Sequence, residues 1–280
     1  MVIIESAGLT DVGRKRTGNE DALFLDTETN LYIVADGMGG HQAGEVASNL
    51  VVDTMRDYMK RFKEDAAAEE MKDFDATLSK EANRLLSSIH LANLGVNKVS
   101  HTKETYRGMG STVSAVFFTD ETLIAANVGD SPIYLVHNGT IERLSVLHTV
   151  MAEHAAIDPE GAANLGREYR HMLTRAMGIE ETVEPDICEI PYFKDDIVVI
   201  SSDGLSDKVT ADEILDIVNK EKPEKTCRKL VDLANERGGD DNVTVIVARV
   251  RKTLHGKGGF PELLSRIWDG LLNPFKKIFK

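Results

Sequence analysis

Apolar runs along the first 250 residues predict nine β-strands. The runs are rich in β-branched residues and are bounded by turn residues, as is typical of strands. They cover residues 2–9, 21–26, 31–35, 112–119, 122–128, 132–137, 184–190, 196–202 and 242–250. Apolar residues at spacings of three and four predict helices at 44–62, 75–99, 211–219 and 224–236. Hairpin-like groups of strands, interrupted by a pair of long helices, favour an α+β layered fold over a doubly wound one.

Residues 145–180 carry the poorest regular pattern of the chain. They include Met151, His154, Pro159, Gly161 and Gly166. We interpret this stretch as a mobile segment or flap, because long irregular segments within a domain are often functional.

The charge and the apolar pattern of the chain change after Val250. Residues 251–280 hold seven Lys or Arg against two acids, whereas the first 250 residues carry a net charge of −18. The large apolar residues of this tail lie on one helical face, with Pro274 interrupting: Leu263, Leu264, Ile267, Trp268, Leu271, Leu272, Phe275, Ile278 and Phe279. We therefore predict one domain over 1–250 and a basic amphipathic C-terminal tail over 251–280, in which HGKGG forms a flexible hinge.

Composition and charge exclude several classes of protein. The net charge of −13 and the pI near 5.1 argue against a nucleic-acid partner, which needs a basic surface. Cys188 and Cys227 form no CxxC pair, as expected in a reducing compartment. The start, MVIIES, lacks the basic region of a signal peptide, and no window approaches the roughly 18 apolar residues of a membrane span. We expect a soluble, cytoplasmic protein.

Acidic residues recur where the predicted strands begin or end, beside small residues or turns. Five sites share this position: Glu20-Asp21, Asp36, Asp130, Asp203 and Asp240-Asp241. Gathered acids repel each other unless a hard cation neutralises them, and oxygen ligands select Mg²⁺, Mn²⁺ or Ca²⁺. The sites span more than 200 residues, which excludes an EF-hand with its loop of about twelve residues. From the pattern alone, a binuclear hard-metal site and a set of independent turn acids both stay open.

The sequence lacks the motifs of several other classes of nucleotide-binding protein and hydrolase. The glycine-rich loop at 37–44 has neither the G-K-[ST] of a P-loop nor the spacing of a dinucleotide fingerprint. No cysteine is followed six residues later by arginine, so the loop of thiol-dependent phosphatases is missing. The chain also has no G-x-S-x-G elbow and no H-E-x-x-H pair.

An ordered set of motifs resembles the metal-dependent serine/threonine protein phosphatases of type 2C (PPM), in their bacterial form. The motifs are GRKRTGNEDAL, VADGMGGHQAGEVAS, GMGSTVSAV, ANVGDSPIYL, LTRAMG, SSDGLSD and GGDDNVTVIV, and the resemblance covers about residues 2–250. It implies a central β-sandwich of two antiparallel sheets flanked by helix pairs, with a binuclear Mn²⁺ or Mg²⁺ site at one end of the sandwich.

The resemblance implies one set of metal ligands. Asp36 would bridge the two ions, and Asp203 with Asp241 would complete one site. Glu20, with the backbone carbonyl of Gly37, would complete the other. We expect Gly37 to lack a side chain because Cβ would restrict the approach of its carbonyl to the metal.

Three further residues receive roles from the same resemblance. Asp21 would hold a metal-bound water from behind the ligands. Asp130, with Asp203, resembles the pair that binds a weaker third metal in bacterial members. Arg16 matches the arginine that grips substrate phosphate, although the run RKR by itself would favour a solvated cation.

The chain departs from the family pattern in three places. Met38 stands where eukaryotic members commonly have histidine, a candidate general acid, and His41 three residues later receives no assigned role. Pro132 replaces the usual arginine of VGDSR, which affects a local salt bridge and no metal ligand. LSVLHTV lacks the usual Asp-His-Ser at the entrance of the flap, which affects the segment expected to face the substrate.

These residues predict a phosphatase that hydrolyses phosphoserine and phosphothreonine in proteins, with a water activated by two metal ions, opposing a serine/threonine kinase. A non-catalytic regulatory or partner-binding domain that retains the fold is the alternative, and the loss of a core acid would favour it. A metal-dependent nuclease or sugar-phosphate hydrolase fits the acidic surface less well. For the tail we expect contact with a membrane surface, a partner protein or the chain's own domain, so a cytoplasmic protein peripheral to the membrane is one expectation.

Overall fold

Two antiparallel sheets packed face to face form the centre of the protein. The structure is a computed structural model that describes residues 2–40, 42–64 and 75–253. The first sheet contains, in spatial order, β1 (Ile3–Asp11), β11 (Val243–Lys252), β10 (Ile197–Ser201), β7 (Ile133–His137) and β8 (Thr140–Arg143). The second contains β2 (Asp21–Asp26), β3 (Leu31–Met38), β5 (Val113–Phe118), β6 (Thr122–Val128) and β9 (Asp186–Pro191), with the short β4 (Gly110–Ser111) paired to β3.

Helices cover the outer face of each sheet. The pair α1 (Ala43–Glu64) and α2 (Lys80–Ser100) packs on the second sheet, and the pair α6 (Ala211–Lys220) and α7 (Pro223–Glu236) packs on the first. Three shorter helices, α3 (Val150–Ile157), α4 (Pro159–Ala163) and α5 (Asp203–Ser206), lie in the connections. This layered arrangement confirms the predicted α+β fold with a central β-sandwich.

Strand β3 shows how the apolar pattern specifies the layers. Leu31, Ile33 and Ala35 pack towards α1 and α2, whereas Tyr32 and Val34 face the other sheet. Because both faces of β3 are covered, its sequence is a continuous apolar run and does not alternate with polar residues. The strand is therefore held rigidly up to Asp36, where it reaches the rim of the sandwich.

The nine predicted strands are present with ends shifted by a few residues, and two strands were missed. Strand β8, with the sequence TIER, is short and carries charged side chains, so it gives no apolar run. Strand β4 has only two residues. The prediction for α2 began too early, because the hydroxyl of Ser79 accepts a hydrogen bond from the Ala82 N–H (3.1 Å) and so caps the helix there.

The stretch 145–180 contains α3, α4 and a 3₁₀ turn at Arg167–Arg170. Backbone hydrogen bonds tie its two ends together, from the Val150 N–H to the Met172 carbonyl and from the Thr174 N–H to the His148 carbonyl (both 2.9 Å). Its mobility stays a prediction.

Strand β11 continues to Lys252, and residues 254–280 of the predicted tail lie outside the described residues. The division of the chain at residue 250 therefore stays a prediction. None of the helices in the described part of the chain combines the length and the apolar character that crossing a membrane would require.

Two leucines on α2 test the assignment of its buried face. Leu85 is fully buried in the core beneath α1 and α2, whereas Leu94 is 39% exposed. We expect Leu85→Ala to lower the free energy of unfolding by about 2–5 kcal/mol, because the truncation leaves a cavity in a packed core. Leu94→Ala, the matched control, should change it by less than about 0.5 kcal/mol. Urea unfolding followed by circular dichroism measures both values, and equal losses would contradict this packing.

Candidate metal centre

The predicted acids meet in an open cleft at one rim of the sandwich. The cleft has a volume of about 360 Å³. It is lined by seven of the eight residues that the sequence singled out: Arg16, Glu20, Asp36, Gly37, Asp130, Asp203 and Asp241. The eighth, Asp21, is buried directly across the β2–β3 ladder from Asp36. The fold thus brings together every predicted site residue, although they lie up to 225 positions apart in the sequence.

The backbone at Asp36 is fixed by hydrogen bonds from the neighbouring strands. Its N–H donates to the hydroxyl of Thr112 (3.0 Å), and its carbonyl accepts from the hydroxyl of Ser111 (3.0 Å) and from the Thr112 N–H (2.8 Å). The carboxylate is therefore delivered into the cleft from a rigid main chain. Burial, and then the negative charges of Asp21 and Asp203, raise the pKa of Asp36 well above its ordinary value.

Two glycines make room for Glu20 beside this strand. A Cβ on Gly37 would lie 2.1 Å from the carbonyl oxygen of Gly44, and one on Gly44 would lie 2.8 Å from the carboxyl carbon of Glu20. Close packing against the start of α1 therefore excludes a side chain at Gly37, which is a further reason besides the expected approach of its carbonyl to a metal. The metal contact of that carbonyl stays a prediction.

Asp21 lies behind the cleft, and only one of its two carboxylate oxygens accepts hydrogen bonds. Its Oδ2 accepts hydrogen bonds from the hydroxyls of Ser202 (2.8 Å) and Thr244 (2.6 Å). Its buried Oδ1 has no hydrogen-bond partner among the described residues. Burial raises the pKa of Asp21 to about 7, although the two hydroxyls oppose that shift. An unsatisfied buried oxygen on the residue paired with Asp36 fits a site that holds a cation and its water.

Two adjacent aspartates just before β11, Asp240 and Asp241, have different surroundings. Asp241 accepts a hydrogen bond from Arg16 (2.7 Å) and another from the Asn242 N–H (2.8 Å) at the edge of the cleft. Asp240 instead forms ion pairs with Lys15 and Lys208, which lower its pKa to about 2. Only Asp241 therefore remains a candidate ligand.

Arg16 lies beside the carboxylates of the predicted metal site. Partial burial works against its charge, but the carboxylates of Asp241, Glu20 and Asp36 outweigh that effect and raise the pKa of the guanidinium. The half-exposed side chain keeps its positive charge at the mouth of the cleft, where a phosphate would arrive.

Asn242 is a positioning residue that the sequence reasoning missed. Its side-chain oxygen accepts from the Glu20 N–H (2.8 Å), and its amide donates to the carbonyls of Val12 and Gly18 (both 2.9 Å). This buried side chain fastens the loop that carries Arg16 and Glu20 to the start of β11. In the sequence, only the position of Asn242 directly after the two aspartates indicated a role in the site. A local sequence pattern carries no information about a contact with a loop more than 220 positions away.

The flap contributes a second residue that the sequence did not reveal. His171 lines the cleft, and one donor atom from each of Asp130, His171 and Asp203 lies within 4.8 Å of the others. The carboxylate of Asp203, and then that of Asp207, raises the pKa of His171, whereas burial opposes the shift. Burial and the charge of Asp203 raise the pKa of Asp130 to about 7.

Two of the positions at which the chain departs from the family pattern have well-defined contacts in the structure. Met38 lines the cleft, and its terminal methyl packs against Gly110. In LSVLHTV, the fully buried His148 accepts the Gly129 N–H at Nδ1 (3.1 Å), so its Nε2 donates to Asp186 (2.6 Å). The flap entrance is thus anchored beside Asp130 without the usual acid. His41 lies outside the described residues.

Taken together, the donor set fits hard divalent cations. Five carboxylates and Gly37 line the cleft, and burial, followed by the neighbouring carboxylates, raises the pKa of Asp36 and of Asp130. A group of oxygen donors whose charges repel is the environment in which Mn²⁺ or Mg²⁺ is stabilising.

Known proteins share this architecture. The family model for protein phosphatase 2C matches residues 13–247. The serine/threonine phosphatase stp of Listeria welshimeri is 34% identical over 256 residues, which cover 89% of this chain and 96% of that relative. The solved serine/threonine phosphatase PstP/Ppp of Mycobacterium tuberculosis is 28% identical, with a TM-score of 0.75 over 90% of this chain and 100% of that one.

A further solved structure is the catalytic domain of the serine/threonine protein phosphatase PstP in complex with two manganese ions. It has a TM-score of 0.75 and 29% identity to this chain, over 90% of this chain and 100% of that one. The match of the family model to most of the chain agrees with the sandwich and with the acids at its rim. This chain belongs to the protein phosphatase 2C family.

Proposed function

We propose that the protein hydrolyses phosphoserine and phosphothreonine monoesters in protein substrates, using a water activated by two Mn²⁺ or Mg²⁺ ions. One observation carries the proposal. Carboxylates from five separate parts of the chain converge on one cleft with a single arginine at its mouth, among the described residues. A phosphate monoester is a dianion, so a cleft this acidic can receive it only when cations are bound.

Two groups of residues would hold the two ions. Asp36 would belong to both groups, Asp203 and Asp241 would complete one, and Glu20 with the Gly37 carbonyl would complete the other. Two ions held there would neutralise the carboxylates, lower the pKa of a water molecule and polarise the phosphoryl oxygens. Asp21, from behind, offers its free Oδ1 as an acceptor for a water proton.

Arg16 binds and orients the phosphate. Its guanidinium can donate two parallel hydrogen bonds to phosphoryl oxygens, which fixes the direction of the leaving serine or threonine oxygen. The Asp241 contact holds the guanidinium at the edge of the cleft, so the side chain needs only a short displacement to reach a substrate.

The substrates are phosphoproteins, and a serine/threonine kinase that phosphorylates the same proteins is the expected opposing enzyme. A non-catalytic domain would tolerate the loss of an acid, but each predicted ligand is present in the cleft. No observation therefore favours that alternative.

For the tail we propose contact with an anionic membrane surface, which would make the protein peripheral to the membrane. Residues 251–280 combine a net charge of +5 with the apolar stripe around Trp268. Basic amphipathic segments bind anionic lipid through both their positive charge and their apolar face. Packing on the chain's own acidic domain would give blue emission in the test below before any vesicle is added, whereas docking in a partner groove would leave the emission red and unchanged by vesicles.

The first test concerns metal dependence. Wild-type protein should hydrolyse phosphoserine and phosphothreonine peptides in Mn²⁺ and not in chelator. Asp36→Asn should lower kcat/KM at least about a hundredfold, because the charge shared by both ions is lost. Asp240→Asn, the matched control, should keep activity within about twofold, since Asp240 is paired with Lys15 and Lys208 outside the ligand set. Full activity of Asp36→Asn, or of the wild type in chelator, would refute the mechanism.

The second test separates phosphate binding from metal binding. Arg16→Ala should raise KM for a phosphopeptide about tenfold, because a charged hydrogen bond to phosphate is lost. Mn²⁺ binding, measured by calorimetry, should not weaken, because Arg16 is no ligand and its removal frees Asp241. Lys15→Ala, which removes the neighbouring cation, should leave KM unchanged. A variant Arg16→Ala that binds Mn²⁺ poorly would contradict the assignment.

The third test uses Trp268, the only tryptophan of the chain. On addition of anionic vesicles at low salt, its fluorescence should shift to the blue, and the shift should weaken as salt screens the lysines. Neutral vesicles are the control and should give a smaller shift. Blue emission already present in buffer, with no further shift, would show that the tail packs on its own domain.

A further inference from the structure

His171 brings a nitrogen donor into a cleft otherwise built from oxygen ligands. Its Nδ1 lies 3.4 Å from Asp203 Oδ2, and the donor atoms of Asp130, His171 and Asp203 all lie within 4.8 Å of one another. Ligands bound to one transition-metal ion at about 2.1 Å lie up to about 4.2 Å apart. A shift of less than about 1 Å would therefore close these three residues around an ion.

The second ring nitrogen supplies an independent observation. His171 Nε2 lies 3.4 Å from Asp207 Oδ2. A histidine that binds a metal almost always presents its other nitrogen to a carboxylate or carbonyl, which fixes the tautomer and orients the ring. Asp207 is suited to that task because its own N–H donates to the Asp203 carbonyl (2.8 Å), so the two acids are held together.

The backbone on the C-terminal side of His171 is held by the base of the flap. The Met172 carbonyl accepts the Val150 N–H, and Leu173 forms an isolated β-bridge with Thr149. The position of the imidazole is therefore set by main-chain hydrogen bonds as well as by its acidic neighbours.

We propose that His171 joins Asp130 and Asp203 as a ligand of a third cation site, and that its imidazole makes this site prefer Mn²⁺ and related transition-metal ions to Mg²⁺. Imidazole suits transition metals, whereas Mg²⁺ is bound by oxygen ligands and water. The inference rests on the proposed function in that Asp203 is shared with the pair of ions described above.

The site has a consequence for the flap. Asp130 and Asp203 belong to the rim of the sandwich, whereas His171 belongs to the segment between α4 and β9. An ion bound by all three ties that segment to the rim. The flap is then fixed beside the cleft in Mn²⁺ and is freer in Mg²⁺.

The test counts Mn²⁺ bound to the full chain, using electron paramagnetic resonance of the free ion. Wild-type protein should bind three Mn²⁺, and His171→Gln should weaken the third at least about tenfold while the first two stay unchanged. His171→Lys separates a ligand from a counter-ion, because it keeps a positive charge beside Asp203 and Asp207 but has no lone pair to donate. It should lose the third Mn²⁺ as His171→Gln does. His154→Gln, an exposed residue of α3 in the same segment, is the control and should bind three.

A second measurement uses the exposed Arg170. Trypsin cleavage after Arg170 should be slower in Mn²⁺ than in Mg²⁺ for wild-type protein, and equal in both ions for His171→Lys. Circular dichroism should show that each variant is folded, as expected for a side chain that is 45% exposed.

Three results would overturn the inference. These are a wild-type chain that binds only two Mn²⁺, a third ion that binds equally well to His171→Gln, and a third ion retained by His171→Lys. Failure of the proposed function has a different signature, because wild-type protein would then leave phosphopeptides intact in Mn²⁺ however many ions it bound.

Discussion

Repulsion among carboxylates gathered at one rim of the sandwich is the constraint on which the rest of this structure depends. Asp21 and Asp36 stand opposite each other on paired antiparallel strands, a position in which like charges are destabilising. Burial of both groups makes the repulsion stronger. Apolar packing and hydrogen bonds elsewhere in the fold must therefore offset this repulsion and hold the acids in place.

The stabilising contribution comes from three apolar layers and from hydrogen bonds to neutral hydroxyl groups. The layers lie between the sheets and beneath each helix pair, and they fix the strands whose ends carry the acids. Hydroxyls of Ser111, Thr112, Ser202 and Thr244 then hold the main chain of Asp36 or the side chain of Asp21. Neutral hydroxyls position an acid without cancelling its charge, so the negative potential stays available for divalent ions and, through them, for a phosphate.

Neighbours in the sequence receive opposite roles at this rim. Asp241 faces the cleft with Arg16, whereas Asp240 is neutralised by Lys15 and Lys208. Asp203 faces the cleft, whereas Asp207, one turn later, stands behind His171. In each pair only one acid is a candidate ligand, although all four acids lie beside a basic side chain.

The sequence by itself determined the layered fold and the set of acids at the strand ends. Both follow from local information, because apolar periodicity specifies strands and helices and each acid sits beside its own turn. Only the tertiary structure decided that Asp240 is paired with Lys15 and Lys208, that Asn242 fastens the Glu20 loop, and that His171 stands beside Asp130 and Asp203. Those contacts join parts of the chain that are far apart in sequence, and the close approach of Gly37 to Gly44 is likewise visible only in the folded chain. Hydrophobic periodicity records which face of an element is buried, but it carries no information about which distant polar group will lie opposite.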